Sequence, residues 1–356
     1  MKRILIINPF GIGDVLFTTP VIRALKENLP DSFICYWTNE RVRYLLEHNP
    51  QIDKIFGLSR GDIKKICSKS RLRGFGALCG LLRNLRKEGF DIAIDFSLDH
   101  RYGLISRLIG IKKRIGFDYK NRGRFLTDKI RIDGYADRHV VEYNLDLLGL
   151  LNLTPPASRN LELIVSDEEK EKARGLLFKA GIYERDLKIG IAPGAGASWG
   201  RDAVLKHWPP KNFAYLADKL IEEFNSKIVI LGDAIEKSIA EEINGAMAHK
   251  AIDLTGATDL RELAAIISCL DILVANDGGP LHMAVALGIK TVSIFGPVDP
   301  VVYGPYPVSP KHIVLKKDLS CRPCYKKFKT PVCLRDKECI KSITISDVFD
   351  AVRRLL

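Results

Sequence analysis

The sequence predicts an α/β protein made of two doubly wound parallel sheets. Three observations predict it. Short apolar runs rich in Ile and Val recur along the chain and alternate with helical patterns. The alternation stops at LNLTPPASRN, residues 151–160, and then restarts. At 356 residues the chain is also too long for one ordinary core.

The first half reads in order as follows. Residues 2–8 (KRILIIN) form a buried strand closed by Pro9 and Gly11, and 14–28 a helix. Residues 33–37 are a strand, 41–48 a helix and 54–57 a short strand. Residues 81–88 close a helix before the strand FDIAIDF; a helix at 101–109, a short strand at 114–116 and a helix at 140–150 follow. Such runs, apolar on both faces, belong to sheets covered by helices on both sides.

After the linker, helices are expected at 167–180, 213–224, 234–246, 260–268 and 280–287. Strands are expected at 188–192, 227–231, 251–253, 271–275 and 291–295. A last helix, 347–356, follows a cysteine-bearing loop, with Ser346 placed to cap it. The expected divisions are 1–157, 158–343 and a terminal segment 344–356.

Composition narrows the class. Hydrophobic residues make up 46% and charged residues 28%, as in water-soluble globular proteins. No apolar run approaches the roughly 20 residues that span a bilayer. MKRILIINPF is too short and too strand-like for a signal peptide, so a cytoplasmic location is expected.

A net charge of +12 favours an anionic partner. Lys64, Lys65, Lys69, Arg71, Arg73, Arg83, Arg86 and Lys87 interleave with Leu72, Phe75, Leu78, Leu81, Leu82 and Leu85. That pattern suits either a solvated helix face or peripheral contact with anionic lipid. A second basic run, Lys112 to Arg124 and including Arg122, has no helical rhythm and reads as a loop for acceptor phosphates or plain surface. No nucleic-acid-binding signature is present.

Cys321, Cys324, Cys333 and Cys339 cluster as CRPC–x8–C–x5–C. A structural metal, one or two disulfides, and free thiols all fit that spacing.

In doubly wound sheets ligands bind beyond the carboxyl ends of the strands. Four turns there carry chemistry. NPFGIGDVLFTTP places Asp14 at the start of the first helix, as a cap or a general base, with Thr18 and Thr19 one turn on. PGAGASWGRDAVLKHWPP brings glycines, Ser198, Arg201 and Lys206, which suit a diphosphate. GDAIEKS offers Asp233 or Glu236 to ribose hydroxyls, or to a helix dipole. VANDGGPLHMAVALG is a strand–turn–helix joint holding Asp277, Gly278, Gly279 and His282. The two glycines allow a tight turn, and the helix amides there would face an anion.

The combination of GIGDVLFTTPVIRALK, PGAGAS…KHWP and NDGGPLHMAVALG…TVSIFGPVDP resembles glycosyltransferase family 9, the ADP-heptose:lipopolysaccharide heptosyltransferases. The resemblance implies a GT-B fold of two facing Rossmann-like domains. The first would bind the acceptor and the second the nucleotide-sugar, with the terminal helix crossing back to the first. It implies transfer of heptose from ADP-heptose to the lipid A–Kdo core, a phosphorylated lipid-linked acceptor, with inversion and without a metal ion or other cofactor. A monomer is expected.

By position, Asp14 matches the general base and Lys206 the donor-phosphate lysine. Ser198 falls near the hydroxyl residues of that turn, and Glu236 matches a ribose contact. Asp277, Gly279 and His282 match the diphosphate-and-sugar turn. Thr18, Lys64, Arg71 and Arg122 are the acceptor-side candidates.

Two features depart from the family pattern. Gly278 stands where several members carry Thr, and WGRDAVL lengthens the segment before Lys206. A GT-B transferase or epimerase with another nucleotide-sugar is the alternative. A nicotinamide-dependent oxidoreductase lacks its GxGxxG, and a non-catalytic sugar-nucleotide binder is a third option.

Overall fold

Every strand lies parallel to its neighbours in two separate six-stranded sheets. The computed structural model describes every residue except Ser59; the side chains of Arg60, Ile63, Lys65, Cys67, Arg71, Ala197 and Ser198 are also outside the description. The chain divides into two compact units, Met1–Glu162 and Leu163–Leu356.

In the first unit the strands are β1 (Arg3–Ile7), β2 (Phe33–Thr38), β3 (Lys54–Gly57), β4 (Ile92–Asp95), β5 (Lys113–Tyr119) and β6 (Asp128–Ile132). Their order is β3-β2-β1-β4-β5-β6. This is the Rossmann order, whose switch point lies between β1 and β4. Ile7 pairs with Asp95 there, so the turns after β1 and β4 open side by side. Leu5, Ile7, Trp37, Leu85, Tyr102 and Ile111 are buried in one core cluster.

In the second unit the strands are β7 (Lys188–Ala192), β8 (Lys227–Ile230), β9 (Ile252–Asp253), β10 (Ile272–Asn276), β11 (Lys290–Ile294) and β12 (His312–Leu315). The order is β12-β11-β10-β7-β8-β9, the same topology repeated, with its switch point between β7 and β10.

Several expectations need adjustment. The first helix is two pieces, Ile12–Leu16 and Thr19–Asn28. Pro20 donates no amide hydrogen, and the Thr18 and Thr19 hydroxyls bond the carbonyls of Val15 and Leu16 instead, both at 2.7 Å. β6 and β12 escape a pattern reading because both lie at sheet edges and are partly exposed.

The unit boundary falls after Glu162 because the linker is fastened to the helix Thr19–Asn28. Arg23 donates to the Ser158 and Asn160 carbonyls, Asn28 to that of Thr154, and the Glu162 amide donates to Thr19 Oγ1.

The last helix is Ile345–Leu355, and Thr344 rather than Ser346 caps it: Thr344 Oγ1 accepts the Asp347 amide while Asp347 accepts that of Thr344. Its Val348, Phe349, Ala351, Val352 and Leu355 recur at helical spacing and are buried in the second unit's core with Trp208 and Phe213. Among the described residues, no helix is long and apolar enough to cross a membrane.

Candidate active site

The second unit gathers its polar residues at the β7/β10 switch point. Asn276 ends β10 and staples the site. Its Nδ2 donates to the Pro193 carbonyl at 2.5 Å, and its Oδ1 accepts the Trp208 amide at 3.2 Å. The turn after β7 is thereby tied to the turn after β10. Trp208 is fully buried and donates through Nε1 to the Ile343 carbonyl at 2.8 Å. It anchors the entry to the helix Pro210–Phe224.

Lys206 ends the 3₁₀ segment Ala197–Lys206. Its Nζ lies 2.7 Å from Asp277 Oδ2, and both side chains are buried. His282 sits in the first turn of the helix Gly279–Ala286, with Nε2 3.9 Å from Asp277 Oδ1. Burial, reinforced by the Lys206 charge, lowers the His282 pKa to about 4, although Asp277 opposes the shift. The imidazole is neutral near pH 7. Lysine is the positive group of this turn and histidine a neutral donor or acceptor.

Gly278 caps that helix without a side-chain bond. Neither Gly278 nor Gly279 has a positive φ, and Gly278 is fully extended at φ −173°. A Cβ at Gly278 would lie 3.3 Å from Ala195 Cα, so the residue serves close approach of two turns rather than a left-handed bend.

Glu236 is buried and its carboxylate is held by backbone amides. Gly196 donates to Oε1 at 3.0 Å and Asp233 to Oε2 at 2.9 Å. Gly194 makes room for it: a Cβ there would fall 1.8 Å from Glu236 Oε1. Each carboxylate oxygen retains capacity for a further donor such as a ribose hydroxyl. The Ser198 side chain lies outside the described residues.

In the first unit, Asp14 lies in the helix Ile12–Leu16, three positions past its cap. Its Oδ2 accepts the Gly11 amide at 3.3 Å, and its carbonyl accepts Asn8 Nδ2 at 2.9 Å. Asn39 Nδ2 also holds the turn through the Pro9 and Phe10 carbonyls. These asparagines fix the Asp14 turn, and sequence reasoning missed them: single buried amides carry no pattern signal.

It also missed Asp95. This buried residue ends β4 at the β1/β4 switch point, and its Oδ1 accepts the Ser97 amide at 2.8 Å. Burial raises its pKa to about 7, with Asp99 adding to the rise and Ser97 opposing it.

Thr18 presents no exposed surface. It is fully buried, and its hydroxyl bonds the Val15 carbonyl and Tyr36 Oη, both at 2.7 Å. Lys64 is exposed on the helix Arg60–Lys69, and the Arg71 side chain lies outside the described residues. Arg122 is exposed in the turn after β5, on the carboxyl side of the sheet. Its guanidinium carbon lies 5.7 Å from the Tyr119 ring centroid.

Cys321, Cys324, Cys333 and Cys339 are free thiols. Among the described residues, no group of three or more His, Cys, Asp or Glu is arranged to hold a metal ion.

Two sheets of one topology, each with its own switch point, are the architecture of the GT-B fold. Residues 79–333 match the family model for glycosyltransferase family 9 (heptosyltransferase), and the chain belongs to that family. It is 26% identical over 301 residues to lipopolysaccharide heptosyltransferase 3 of Escherichia coli K12, covering 83% of this chain and 82% of that one.

Among solved structures, a family 9 glycosyltransferase from Veillonella parvula superposes with a TM-score of 0.83 at 25% identity, covering 99% of this chain and 97% of that one. The E. coli ADP-heptose lipopolysaccharide heptosyltransferase II shares the fold, with a TM-score of 0.77 at 24% identity, covering 100% and 98%.

Proposed function

We propose that this glycosyltransferase moves a heptose from ADP-heptose to a hydroxyl of the lipopolysaccharide inner core, with inversion at the anomeric carbon. The observation that carries the reading is the buried Lys206–Asp277 pair at the β7/β10 switch point, beside a helix start that has no side-chain cap bond. Relatives named as lipopolysaccharide heptosyltransferases support the sugar and the acceptor class.

The second unit takes the donor. Glu236 accepts from the ribose hydroxyls. Lys206 and the backbone amides around Gly278 and Gly279 face the diphosphate. The first unit supplies the base. The Asp14 carboxylate takes the acceptor hydroxyl proton, the oxygen bonds to the anomeric carbon, and the bond to the diphosphate breaks. ADP leaves with the electron pair, and Lys206 balances the charge growing on it.

The acceptor is lipid-linked and phosphorylated, and the basic turn holding Arg122 together with the exposed Lys64 suits its phosphates. The helix Arg71–Lys87 turns Leu72 and Phe75 outward, 85% and 69% exposed, beside Arg73, Arg83 and Arg86. That face suits peripheral contact with an anionic membrane.

The test is to incubate the protein with ADP-heptose and a lipid A–Kdo acceptor. The reading expects ADP release and an acceptor heavier by one heptose. A donor panel decides the second reading, which Gly278 favours: removal of the family's threonine hydroxyl changes the donor. Stronger thermal stabilisation by a UDP- or GDP-sugar than by ADP-heptose would replace the donor named here.

A further inference from the structure

Lys206 has a second neighbour besides Asp277. Gly200, at φ +54°, turns the segment Ala197–Lys206 back on itself. Trp199 then comes over the lysine, with Nζ 3.8 Å from the indole ring centroid. Trp199 in turn meets Tyr325, centroids 4.7 Å apart and tilted 41°, and Tyr325 meets Tyr303 at 5.8 Å.

Tyr325 immediately follows the CRPC sequence, in a loop sewn to the exit of β11. The Cys324 and Tyr325 amides both donate to the Pro297 carbonyl, at 3.0 and 3.2 Å. The Arg322 guanidinium donates to the carbonyls of Gly296, Lys317 and Val298.

We propose that Trp199 is a positioning residue for Lys206, and that the cysteine loop, through Tyr325, forms the outer wall of the donor-phosphate site. The proposal rests on the reading of this unit as a nucleotide-diphosphate site.

The physical case has three parts. A lysine stem is flexible, and an ammonium is a point charge that must be aimed. An aromatic face attracts it without occupying any of its three N–H donors. Asp277 pairs with the ammonium as a counter-charge at 2.7 Å, so the ring adds a second hold on the lysine that leaves its N–H groups for phosphate oxygens. The indole also keeps water from one side of the ammonium, which strengthens its attraction to an incoming anion. Trp199 lies in the segment that is longer here than the family pattern, so this support belongs to this chain's own sequence.

The experiment compares wild type, Trp199→Leu, Trp199→Phe, Tyr325→Ala and Tyr325→Phe. ADP, UDP and GDP binding is measured by calorimetry, and KM for donor and acceptor together with kcat by turnover. Trp199→Leu is expected to weaken nucleotide binding and raise the donor KM about tenfold, leaving the acceptor KM unchanged. Trp199→Phe recovers most of that loss, Tyr325→Ala loses about threefold and Tyr325→Phe stays near wild type.

Trp199 is the indole that lies over the Lys206 ammonium, so the nucleotide-induced fluorescence change is expected to shrink in Trp199→Phe. Wild-type nucleotide affinity in a folded Trp199→Leu protein overturns the proposal. If Trp199→Leu does not fold, wild-type affinity in Tyr325→Ala overturns it. A wild type that binds none of the three nucleotides refutes the donor reading, and this one with it.

Discussion

Asp277 holds Lys206 at 2.7 Å in a pocket where both side chains are nearly closed to solvent. An ion pair in such surroundings is costly to leave half-made, because the surviving charge stays buried. Lys206→Met alone and Asp277→Asn alone are each expected to destabilise the protein by about 3–5 kcal/mol. The double variant should be more stable than either single one. Chemical denaturation of the three proteins measures this, and simple additivity would count against a coupled pair.

Asp14→Asn keeps the shape of the side chain and removes its basicity. Turnover is expected to fall by about 10²–10⁴-fold while donor affinity is retained. Single-turnover rates with saturating donor check it. A near-normal kcat would place the base elsewhere, with Asp95 the next residue to replace.

Gly194→Ala places a methyl where the Glu236 carboxylate now sits. The carboxylate must leave its two amide donors, and nucleotide affinity is expected to fall at least tenfold, the loss of about 1.4 kcal/mol or more. Glu236→Ala removes the collision, so the two substitutions together should cost little more than Glu236→Ala alone. Strict additivity of the two losses in a calorimetric titration would contradict the geometry.

Acid stability carries two opposing signatures. His282 has a folded pKa of about 4 against an ordinary 6.5. Between those values the unfolded chain binds a proton that the folded protein refuses. Its linked stability is intact above pH 6.5 and falls as pH drops toward 4. His312, also lowered to about 4 by burial, has the same sign.

Asp95 runs the other way, with a folded pKa of about 7 against 3.8. Its linked stability is full below pH 3.8 and is lost as pH rises through 7. Each effect is bounded at roughly 3–5 kcal/mol. Asp95→Asn should therefore steepen the fall in Tm on acidification, and His282→Gln should flatten it. Thermal scans from pH 4 to 8 test both, and parallel curves would refute the assignment.

Membrane contact is open to a direct measurement. Wild type is expected to co-sediment with vesicles containing anionic phospholipid, and less so as salt rises. Leu72→Asp combined with Phe75→Asp should abolish the binding while donor affinity is unchanged. Equal sedimentation of the variant would remove this face from consideration.

The sheets were legible because their central strands are buried on both faces and carry unbroken runs such as Ile4–Ile7 and Val274–Ala275. β6 was not, since DKIRI at an edge alternates charge with Ile and resembles surface. On the donor side the sequence pointed to Lys206, Glu236, Asp277 and His282, and three of these meet at one switch point while Glu236 lies on the turns beside it.

Spacing along the chain was less informative about what surrounds those residues. Asn8, Asn39 and Asn276 work through single hydrogen bonds to distant backbone, and Trp199 through a ring contact made by one local turn. Thr18 shows the reverse case. A hydroxyl one turn from a catalytic candidate looks available in sequence, yet here it is spent on Val15 and Tyr36.

The repeated strand order has an evolutionary consequence. Each sheet is complete in itself, and its ligand-facing turns hang from its own β-strands rather than from shared scaffolding. If the first unit takes the acceptor, as proposed, substitutions in the turns after β1, β4 and β5 would retarget the molecule to a different recipient without touching the other sheet. On the same proposal, changes after β7, β8 and β10 would alter the sugar carried without redesigning the recipient side. New linkages can arise by editing one module at a time, or by exchanging a whole half between relatives.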